Sequence, residues 1–473
     1  MKKVRKNIMR VACVLCILLA LLAVYAVFSV KREGNRWFSS QMNAGLVREQ
    51  QKNVLPGDIL DRNGTVLATV DSEGRRVYRQ DRLERCSVAH VLGDTRGGVT
   101  NGVESFMARS LYGFDRSFLE QCAPLLKGEK PKGDSIRLTL DSALSGYIAS
   151  VFPEGRSGAA VVMNWKTGEV LAELSFPLID PETADYSSAD RSAFINKAVQ
   201  LLKAPGSTFK TVTAACALRN RAAIELWSFE CGGYLGVGER KVTCAGTDLN
   251  RGLLDRHGSL TLKQAYAKSC NSAFADLALD LGDGVLRKTA EEFGFNDNFL
   301  FEDIVVENSV YPAENRTELE IAWTGAGQSA LLATPMHMCM IASSVANGGV
   351  MAEPKLVLSV MSETGKTRKS FSPSVYRTPL TKNEAETLKE FMRETVVSGT
   401  GKSASISGYT VCGKTGSAEM DDQANTDAWF TGFIAEESAP YAVMVTVLDA
   451  GGGGSVAAPV AGKIFEYLTE NMK

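Results

Sequence analysis

Histidine is scarce in this chain of 473 residues, which contains only His90, His257 and His337. The sequence His-Glu-x-x-His does not occur, so the helical zinc motif of metalloproteases is missing. With so few imidazoles, a Ser-His-Asp hydrolase is also not favoured. We therefore expect a protein that uses neither a metal nor a cofactor.

The chain also has no large excess of basic over acidic residues or of acidic over basic residues. The chain has 52 basic and 54 acidic residues, and its net charge is −2. Nucleic-acid-binding proteins usually carry a clear basic excess, so we expect no nucleic-acid partner. The length is too great for one compact core, which predicts two or three domains.

The ten cysteines are scattered and do not form the regular pattern of a disulfide framework. Two of them, Cys231 and Cys244, bracket a polar, glycine-rich segment. If this part of the chain faces the outside of a cell, the two could form a disulfide. Free thiols are the alternative, because some bacterial lineages avoid disulfides in their exterior proteins.

Charged residues are missing between Val11 and Val30. As a helix this run would be about 30 Å long, which matches the hydrocarbon thickness of a bilayer. More basic residues precede the run than follow it, and the preceding ones are Lys2, Lys3, Arg5, Lys6 and Arg10. The positive-inside rule then predicts a single-pass protein of the cell membrane with a cytoplasmic N-terminus and an extracytoplasmic remainder. A cleaved signal peptide is the alternative, but the run is long for one and no small-x-small site ends it.

After the anchor, residues 1–30, the chain divides into a smaller unit, residues 31–150, and a larger unit, residues 151–473. In the smaller unit, residues 58–68 predict a β-hairpin closed by Asn63-Gly64. A short helix at residues 103–111 and a linker at residues 127–132 are also expected there. The larger unit mixes strand and helix patterns, which predicts an α+β fold with helices around an antiparallel sheet.

In the larger unit, residues 158–177 predict a second hairpin with its turn at Lys166-Thr167-Gly168. A strand of this hairpin is expected to pair with strands from the end of the chain. A glycine-rich stretch, residues 451–455, has no lysine and is interpreted as a flexible turn. The other predicted elements are helices at residues 207–219, 262–281, 336–346 and 459–472, and strands at residues 136–140, 409–412, 428–434 and 441–448.

Ser207 and Lys210 lie at the start of a predicted helix, directly after the turn residues Pro205 and Gly206. Residues three apart share one face of a helix, so the hydroxyl and the amine would project together. A buried amine can act as the base that activates a hydroxyl, and free N–H groups at a helix start can hold an oxyanion. For an isolated Ser-x-x-Lys, a capping serine and a solvated lysine are the ordinary interpretation.

Two later motifs complete a set with Ser207 and Lys210. Ser269-Cys270-Asn271 lies inside the predicted helix 262–281, and Lys414-Thr415-Gly416 follows the predicted strand 409–412. The ordered set Ser-x-x-Lys, Ser-x-Asn and Lys-Thr-Gly resembles the signature of penicillin-binding proteins and serine β-lactamases.

Lys-Thr-Gly occurs twice in the chain. The first copy, Lys166-Thr167-Gly168, precedes Ser207 and lies in a predicted hairpin turn, where Thr and Gly serve the turn geometry and Lys is solvated. The active-site copy should follow Ser-x-Asn and lie on a strand beside the nucleophile. Only Lys414-Thr415-Gly416 meets both conditions.

The resemblance extends over nearly the whole chain after the anchor and is to class B penicillin-binding proteins. Residues 57–68 resemble the first box of their non-catalytic domain, except that Pro56 stands where that box usually has Arg. Further resemblance lies in residues 90–93, 102–104, 138–141, 158–177, 325–335, 346–349 and 429–432. The small N-terminal unit is similar to the short type exemplified by mycobacterial penicillin-binding protein A. The chain has no room for the glycosyltransferase domain of class A enzymes, and no further domain is expected after the transpeptidase fold.

The resemblance implies a peptidoglycan D,D-transpeptidase that forms an acyl-enzyme on Ser207 and is inhibited by β-lactams. Lys210 would be the base, Ser269 would relay a proton to the leaving amine, and Asn271 would orient Lys210 and the peptide. The groups implied in substrate binding are Lys414 and Thr415 for the carboxylate, Gly416 for close backbone approach, and the N–H groups of Ser207 and Ser417 as the oxyanion hole.

Other functions of the same fold stay open. These are a D,D-carboxypeptidase, a β-lactamase, a β-lactam sensor, or an idle scaffold of the division or elongation machinery. Residues 302–318 contain carboxylates but lack the Glu-x-x-Leu-Asn pattern with which class A β-lactamases place a deacylating base, which favours a transferase. By analogy with class B enzymes, the expected partners are stem peptides ending in D-Ala-D-Ala, a polytopic glycosyltransferase and other division or elongation proteins.

Overall fold

The computed structural model describes residues 2–38, 44–94, 98–99, 101–116, 120, 128, 130–184, 191–314, 316–419 and 426–472. Cys122 and two positions of the predicted linker, 127 and 129, lie outside the described residues. The first element is a helix, Lys2–Phe38. Its segment Val4–Ala26, 23 residues long, is apolar and long enough to cross a membrane, and none of it is buried in the protein. The predicted apolar helix is therefore present.

A six-stranded sheet links the N-terminal unit to a later part of the chain. Its strands lie in the order Thr367–Ser370, Val357–Met361, Ser135–Leu138, Ile59–Leu60, Val66–Val70 and Arg76–Tyr78. The hairpin predicted for residues 58–68 is present, and Gly64 in its turn has φ +87°. Two of its strands, Val357–Met361 and Thr367–Ser370, belong to the larger unit expected from the sequence. The sheet therefore extends across the expected boundary at residue 150.

A five-stranded antiparallel sheet, here called the central sheet, organises the larger unit. Its strands lie in the order Val411–Glu419, Thr426–Ile434, Tyr441–Val447, Gly158–Asn164 and Val170–Phe176. The hairpin predicted for residues 158–177 is formed and pairs with Tyr441–Val447, as expected. Gly168 lies in the turn of this hairpin and has φ +79°, and a Cβ there would lie 2.1 Å from the carbonyl oxygen of Glu353.

The central sheet is covered by helices on both faces. Ala160 belongs to an apolar cluster with the helices Ser142–Val151 and Ala457–Asn471. The next residue, Val161, belongs to a second cluster, which includes the helix Pro335–Ala346. Since side chains alternate along a strand, apolar residues at consecutive positions bury both faces. The predicted α+β fold, an antiparallel sheet flanked by helices, is confirmed.

The helix predicted at residues 262–281 is interrupted. The structure has two helices there, Leu262–Ala267 and Asn271–Leu281. Ser269 between them has φ +58°, a left-handed conformation in which a right-handed helix cannot continue. The prediction of one continuous helix was therefore wrong, and the Ser-x-Asn motif lies at a break between two helices.

Other boundaries also differ from the prediction. Lys414-Thr415-Gly416 does not follow the strand predicted at residues 409–412, because the strand is Val411–Glu419 and contains it. Pairing with the neighbouring strand continues through Lys414, opposite Thr431, so tertiary context overrides the weak strand preference of Gly and Lys. The helix predicted at residues 103–111 consists of two short helices, Val103–Phe106 and Ala108–Leu111.

The remaining elements surround these two sheets. The further strands form three pairs, Ser228–Cys231 with Gly258–Thr261, Tyr234–Val237 with Arg240–Thr243, and Met351–Ala352 with Val375–Arg377. The further α-helices are Ala44–Asn53, Arg82–Leu92, Lys197–Gln200, Lys210–Asn220, Asp283–Glu292, Glu318–Gly325 and Lys382–Val397. Short 3-10 helices are Arg191–Phe194, Gly206–Phe209, Ile224–Leu226 and Lys402–Ala404.

Candidate active site

Ser207 lies in a tight turn that is pressed against the first strand of the central sheet. The 3-10 helix Gly206–Phe209 leads directly into the helix Lys210–Asn220. Gly206 has φ +55°, and a Cβ at this position would lie 2.9 Å from the carbonyl oxygen of Ser417. Glycine therefore allows the turn to approach the strand that carries Lys-Thr-Gly.

Ser207 and Lys210 meet on one face, as the sequence predicts. The Nζ of Lys210 donates to the Oγ of Ser207 at 2.6 Å and to the Oδ1 of Asn271 at 2.7 Å, and it contacts the carbonyl oxygen of Ser269 at 3.3 Å. Lys210 is fully buried, and burial lowers the pKa of its amine to about 7. A large fraction of this amine is therefore neutral near pH 7 and able to accept the proton of Ser207.

The break between the helices Leu262–Ala267 and Asn271–Leu281 presents Ser269 and Asn271 to the two lysines of the site. The left-handed conformation of Ser269 ends the first helix, and Asn271 is the first residue of the second. The Nδ2 of Asn271 donates to the carbonyl oxygen of Thr243 at 2.9 Å, which fixes the amide with its oxygen towards Lys210. Both motif residues therefore contact a lysine of the site, since Asn271 contacts Lys210 and Ser269 contacts Lys414.

Lys414 completes the set from the central sheet. Its Nζ donates to the Oγ of Ser269 at 2.8 Å and to the carbonyl oxygen of Thr415 at 3.0 Å. Burial, and then the charge of Lys210, lower the pKa of Lys414 well below its ordinary value. For Lys210, by contrast, burial is the one cause that lowers the pKa.

Gly416 has a packing role that the sequence analysis did not anticipate. A Cβ on Gly416 would lie 2.8 Å from the carbonyl oxygen of Pro205 and 3.1 Å from the side chain of Thr208. The strand thus needs glycine here in order to pack against the turn that carries Ser207. Next to it, the hydroxyl of Ser417 accepts a hydrogen bond from the N–H of Gly453 at 3.2 Å.

These residues surround a cleft of about 640 Å³. Ser207, Ser269, Asn271, Thr415 and Ser417 all line it. The lining residues to which the sequence assigned no role are Ala245, Asp255, His257, Lys268, Gln328, Ser398, Gly399, Thr400, Thr426, Gly452 and Gly454. Thr400 contacts the hydroxyl of Thr415 at 2.5 Å, and no motif marked it, since only folding brings its loop to the strand.

The glycine-rich stretch 451–455 contributes to the cleft and is more than a flexible turn. A Cβ on Gly453 would lie 2.3 Å from the carbonyl oxygens of Gly416 and Trp429. The stretch is therefore closely packed on the central sheet beside the Lys-Thr-Gly strand.

The first Lys-Thr-Gly copy does not take part in this site. Lys166 is partly exposed in its hairpin turn, and its Nζ forms an ion pair of 2.8 Å with Glu437. It is not among the residues that line the cleft. The choice of Lys414 as the active-site lysine agrees with this geometry.

Two carboxylates of residues 302–318 have partners away from the cleft. Glu302 pairs with Lys369 at 2.8 Å, and Asp303 accepts hydrogen bonds from the N–H groups of Leu356 and Val357. Over the described part of the chain, the lining of the cleft includes one carboxylate, Asp255, and no glutamate. A deacylating glutamate like that of class A β-lactamases therefore has no counterpart in the described cleft.

A second group of reactive side chains lies next to the site. It consists of Cys231, Cys244, His257 and Cys270, here called the thiol–imidazole cluster, whose donor atoms all lie within 4.8 Å of one another. Cys231 and Cys244 are free thiols with their sulfurs 3.7 Å apart, so the disulfide considered from the sequence is not formed. The cluster is not recognisable from the sequence, because its members follow one another at intervals of 13 positions, without a short spacing.

The family model that matches this chain and the known proteins similar to it agree with one another. A family model described as penicillin binding protein transpeptidase domain matches residues 158–466. Stage V sporulation protein D of Bacillus subtilis is 31% identical over 354 residues, covering 70% of this chain and 53% of that protein. This chain therefore spans about half the length of that relative.

Two further relatives are similar over most of their length. The peptidoglycan D,D-transpeptidase PbpA of Mycolicibacterium smegmatis is 29% identical over 430 residues, covering 84% of this chain and 86% of that protein. The solved structure of penicillin-binding protein A from M. tuberculosis, an imipenem acyl-enzyme complex, matches with a TM-score of 0.77 at 25% identity. That match covers 89% of this chain and 100% of the solved chain.

Proposed function

The chain belongs to the family of penicillin binding protein transpeptidase domains, and from this premise we propose that it is a class B D,D-transpeptidase that cross-links peptidoglycan. The observation that carries the proposal is the contact of 2.6 Å between the Nζ of Lys210 and the Oγ of Ser207. Relatives named peptidoglycan D,D-transpeptidase support this substrate class. The acyl-enzyme complex of a similar protein supports covalent inhibition by β-lactams.

Acylation begins at Ser207. The neutral amine of Lys210 takes the hydroxyl proton while the Oγ of Ser207 attacks the carbonyl of the penultimate D-Ala in a stem peptide. The N–H groups of Ser207 and Ser417 stabilise the negative oxygen of the tetrahedral intermediate. Asn271 holds Lys210 through its Oδ1 at 2.7 Å, so the base stays directed at the hydroxyl.

Release of the terminal D-Ala requires a proton on its nitrogen. Ser269 is suited to relay this proton, because its hydroxyl can give a proton to the nitrogen and take one from the charged amine of Lys414, which lies 2.8 Å away. Lys210 keeps the proton of Ser207 until attack by the acceptor amine reverses both transfers. When the C–N bond breaks, the acyl group stays on Ser207 as an ester and D-Ala leaves as an amine.

The substrate carboxylate binds at the Lys-Thr-Gly strand. Lys414 and Thr415 are both buried at the cleft, and Thr415 lines it with its hydroxyl near that of Thr400. A carboxylate next to Lys414 favours the charged form of the amine, which offsets the cost of burying that charge. An acceptor amine from a second stem peptide then attacks the ester, forms the cross-link and frees Ser207.

The anchor and the N-terminal unit define where the reaction takes place. The basic residues before Val11 support an N-terminus in the cytoplasm and a catalytic unit outside the membrane. Residues 31–150 lie outside the family match and contribute nothing to the described lining of the cleft, so this part of the chain can associate with a polytopic glycosyltransferase or other division or elongation proteins. This assignment of partners rests on analogy with class B enzymes.

Labelling with a fluorescent penicillin tests the proposed function. The full-length protein should form one covalent adduct, and mass mapping should locate it on the peptide that contains Ser207. Ser207→Ala should abolish labelling, whereas the matched change Ser150→Ala, on an exposed helix position, should leave it unchanged. Labelling that persists in Ser207→Ala would overturn the assignment of the nucleophile.

A further inference from the structure

The thiol–imidazole cluster has the composition and the spacing of a metal site. Three thiols and one imidazole converge from separate parts of the chain, and all three cysteines are buried. We propose that Cys231, Cys244, His257 and Cys270 bind one structural zinc ion beneath the active site. Cys₃His is one of the ligand sets that structural zinc sites use.

The distances between the donor atoms fit a tetrahedron. With Zn–S bonds of about 2.3 Å and a Zn–N bond of about 2.05 Å, a tetrahedral site has sulfur atoms about 3.8 Å apart and sulfur and nitrogen about 3.6 Å apart. The sulfur of Cys244 lies 3.7 Å from those of Cys231 and Cys270, and these two lie 3.4 Å from each other. The Nδ1 of His257 lies 3.4 Å from the sulfur of Cys231. Small outward movements would therefore admit the ion.

The imidazole is oriented for metal binding. The Nε2 of His257 lies 3.5 Å from the Oδ2 of Asp255. A carboxylate in this position favours the proton on Nε2 and leaves the lone pair of Nδ1 directed at the thiols. Metal-binding histidines are commonly held by a carboxylate in this way.

The four ligands come from elements that the ion would tie together. Cys231 ends the strand Ser228–Cys231, which pairs with Gly258–Thr261, the strand that directly follows His257. Cys244 directly follows the strand Arg240–Thr243. Cys270 is the N-cap of the helix Asn271–Leu281.

A closed set of four protein ligands leaves no open position for a substrate or water, so the role is structural rather than catalytic. Zinc binding would release the protons of those thiols that are not already ionised.

The ion would also hold two residues of the active site. Cys270 lies between Ser269 and Asn271, and the carbonyl oxygen of Thr243, the residue before Cys244, accepts a hydrogen bond from Asn271. Zinc at Cys244 and Cys270 would therefore fix the amide of Asn271 and the left-handed turn at Ser269. This effect on acylation rests on the proposed function, whereas zinc binding itself does not.

Metal analysis of the full-length protein, purified in detergent without a chelator, tests the proposal. Elemental mass spectrometry should find close to one zinc ion per chain. Cys231→Ser and His257→Ala should each retain less than a tenth of it, while Cys339→Ala, a buried thiol outside the cluster, should retain all of it. Asp255→Asn should keep the site but weaken zinc binding about 10–100-fold. A wild-type protein without zinc that also fails to bind added zinc would overturn the proposal.

A second measurement needs no variant and so does not depend on the folding of one. Cobalt added to the metal-free wild-type chain should give the absorption of a tetrahedral site together with thiolate-to-cobalt charge transfer. Zinc should also protect three thiols from alkylation, which mass mapping should locate at Cys231, Cys244 and Cys270. Cobalt without charge transfer, or equal alkylation with and without zinc, would contradict the site.

The effect on the active site is measured separately by penicillin labelling. Removal of zinc should slow labelling at least tenfold, and added zinc should restore the rate. Unchanged labelling after zinc removal would contradict the positioning role of the ion. A zinc-bound protein that forms no penicillin adduct would contradict the proposed function alone. A protein that forms the adduct but does not bind zinc, even when zinc is added, would contradict the metal site alone.

Discussion

The Nζ of Lys414 lies 2.8 Å from the Oγ of Ser269, whose carbonyl oxygen is 3.3 Å from the Nζ of Lys210. One serine is thus in contact with both buried lysines of the site. The lysine on the helix is directed at Ser207, and the lysine on the central sheet is directed at Ser269. These contacts bring three motifs that are far apart in the sequence together in one site.

Lys414→Ala should reduce the rate of acylation by penicillin about 10²–10³-fold, because it removes a charge directed at the substrate carboxylate and a partner of Ser269. The rate is measured by rapid quenching and gel fluorescence.

Lys166→Ala in the other Lys-Thr-Gly copy is the matched control. Its ion pair with Glu437 is largely exposed, so the change should alter the acylation rate less than twofold. Equal losses in the two variants would mean that the active-site copy is wrongly assigned.

The rate of acylation should rise with pH through about 7. Burial lowers the pKa of Lys210 to about 7, and only its neutral amine can accept the proton of Ser207. Well below this pH the rate should fall about tenfold per pH unit. Above it the increase should end, and the rate should fall again where Lys414, whose pKa is also lowered, loses the charge that binds the substrate carboxylate. Penicillin labelling between pH 5 and pH 9 measures the profile, and a rate independent of pH over this range would exclude Lys210 as the base.

Gly416→Ala should both destabilise the protein and slow acylation. The new Cβ would lie 2.8 Å from the carbonyl oxygen of Pro205, so the turn that carries Ser207 has to move. Overpacking of this kind costs about 1–3 kcal/mol, which thermal unfolding detects as a lower Tm. Gly236→Ala is the control, because a Cβ there has no neighbour within 4 Å. A Gly416→Ala protein with unchanged Tm and acylation would show that the close contact is not required.

Much of the site could be predicted from local sequence because its residues are close together along the chain or belong to known motifs. Ser207 and Lys210 are three positions apart, and their contact follows from the geometry of a helical turn. The hairpin at residues 158–177 was recognisable from two apolar runs around a turn.

Features that depend on tertiary contacts could not be predicted. Ser269 adopts a left-handed conformation inside a segment with helical periodicity, and no glycine or proline marks the break. Gly452 and Thr400 reach the cleft only when distant loops pack on the central sheet. The thiol–imidazole cluster combines residues from three strand ends and a helix cap, so composition alone suggested scattered thiols.

The central claim is that the acyl group on Ser207 passes to an amine and not to water. The described cleft is lined by no glutamate, and its one carboxylate, Asp255, is paired with His257, so no carboxylate is placed to activate water and the ester should be long-lived. The most direct measurement is the partition of a D-Ala-type thioester substrate, with products separated by chromatography at increasing concentrations of a D-amino acid. We predict that the aminolysis product increases with the amine, that total turnover accelerates, and that a penicilloyl-enzyme persists far longer than its formation takes. Rapid hydrolysis that is unaffected by the amine, together with prompt release of penicilloate, would contradict the account and indicate a hydrolase.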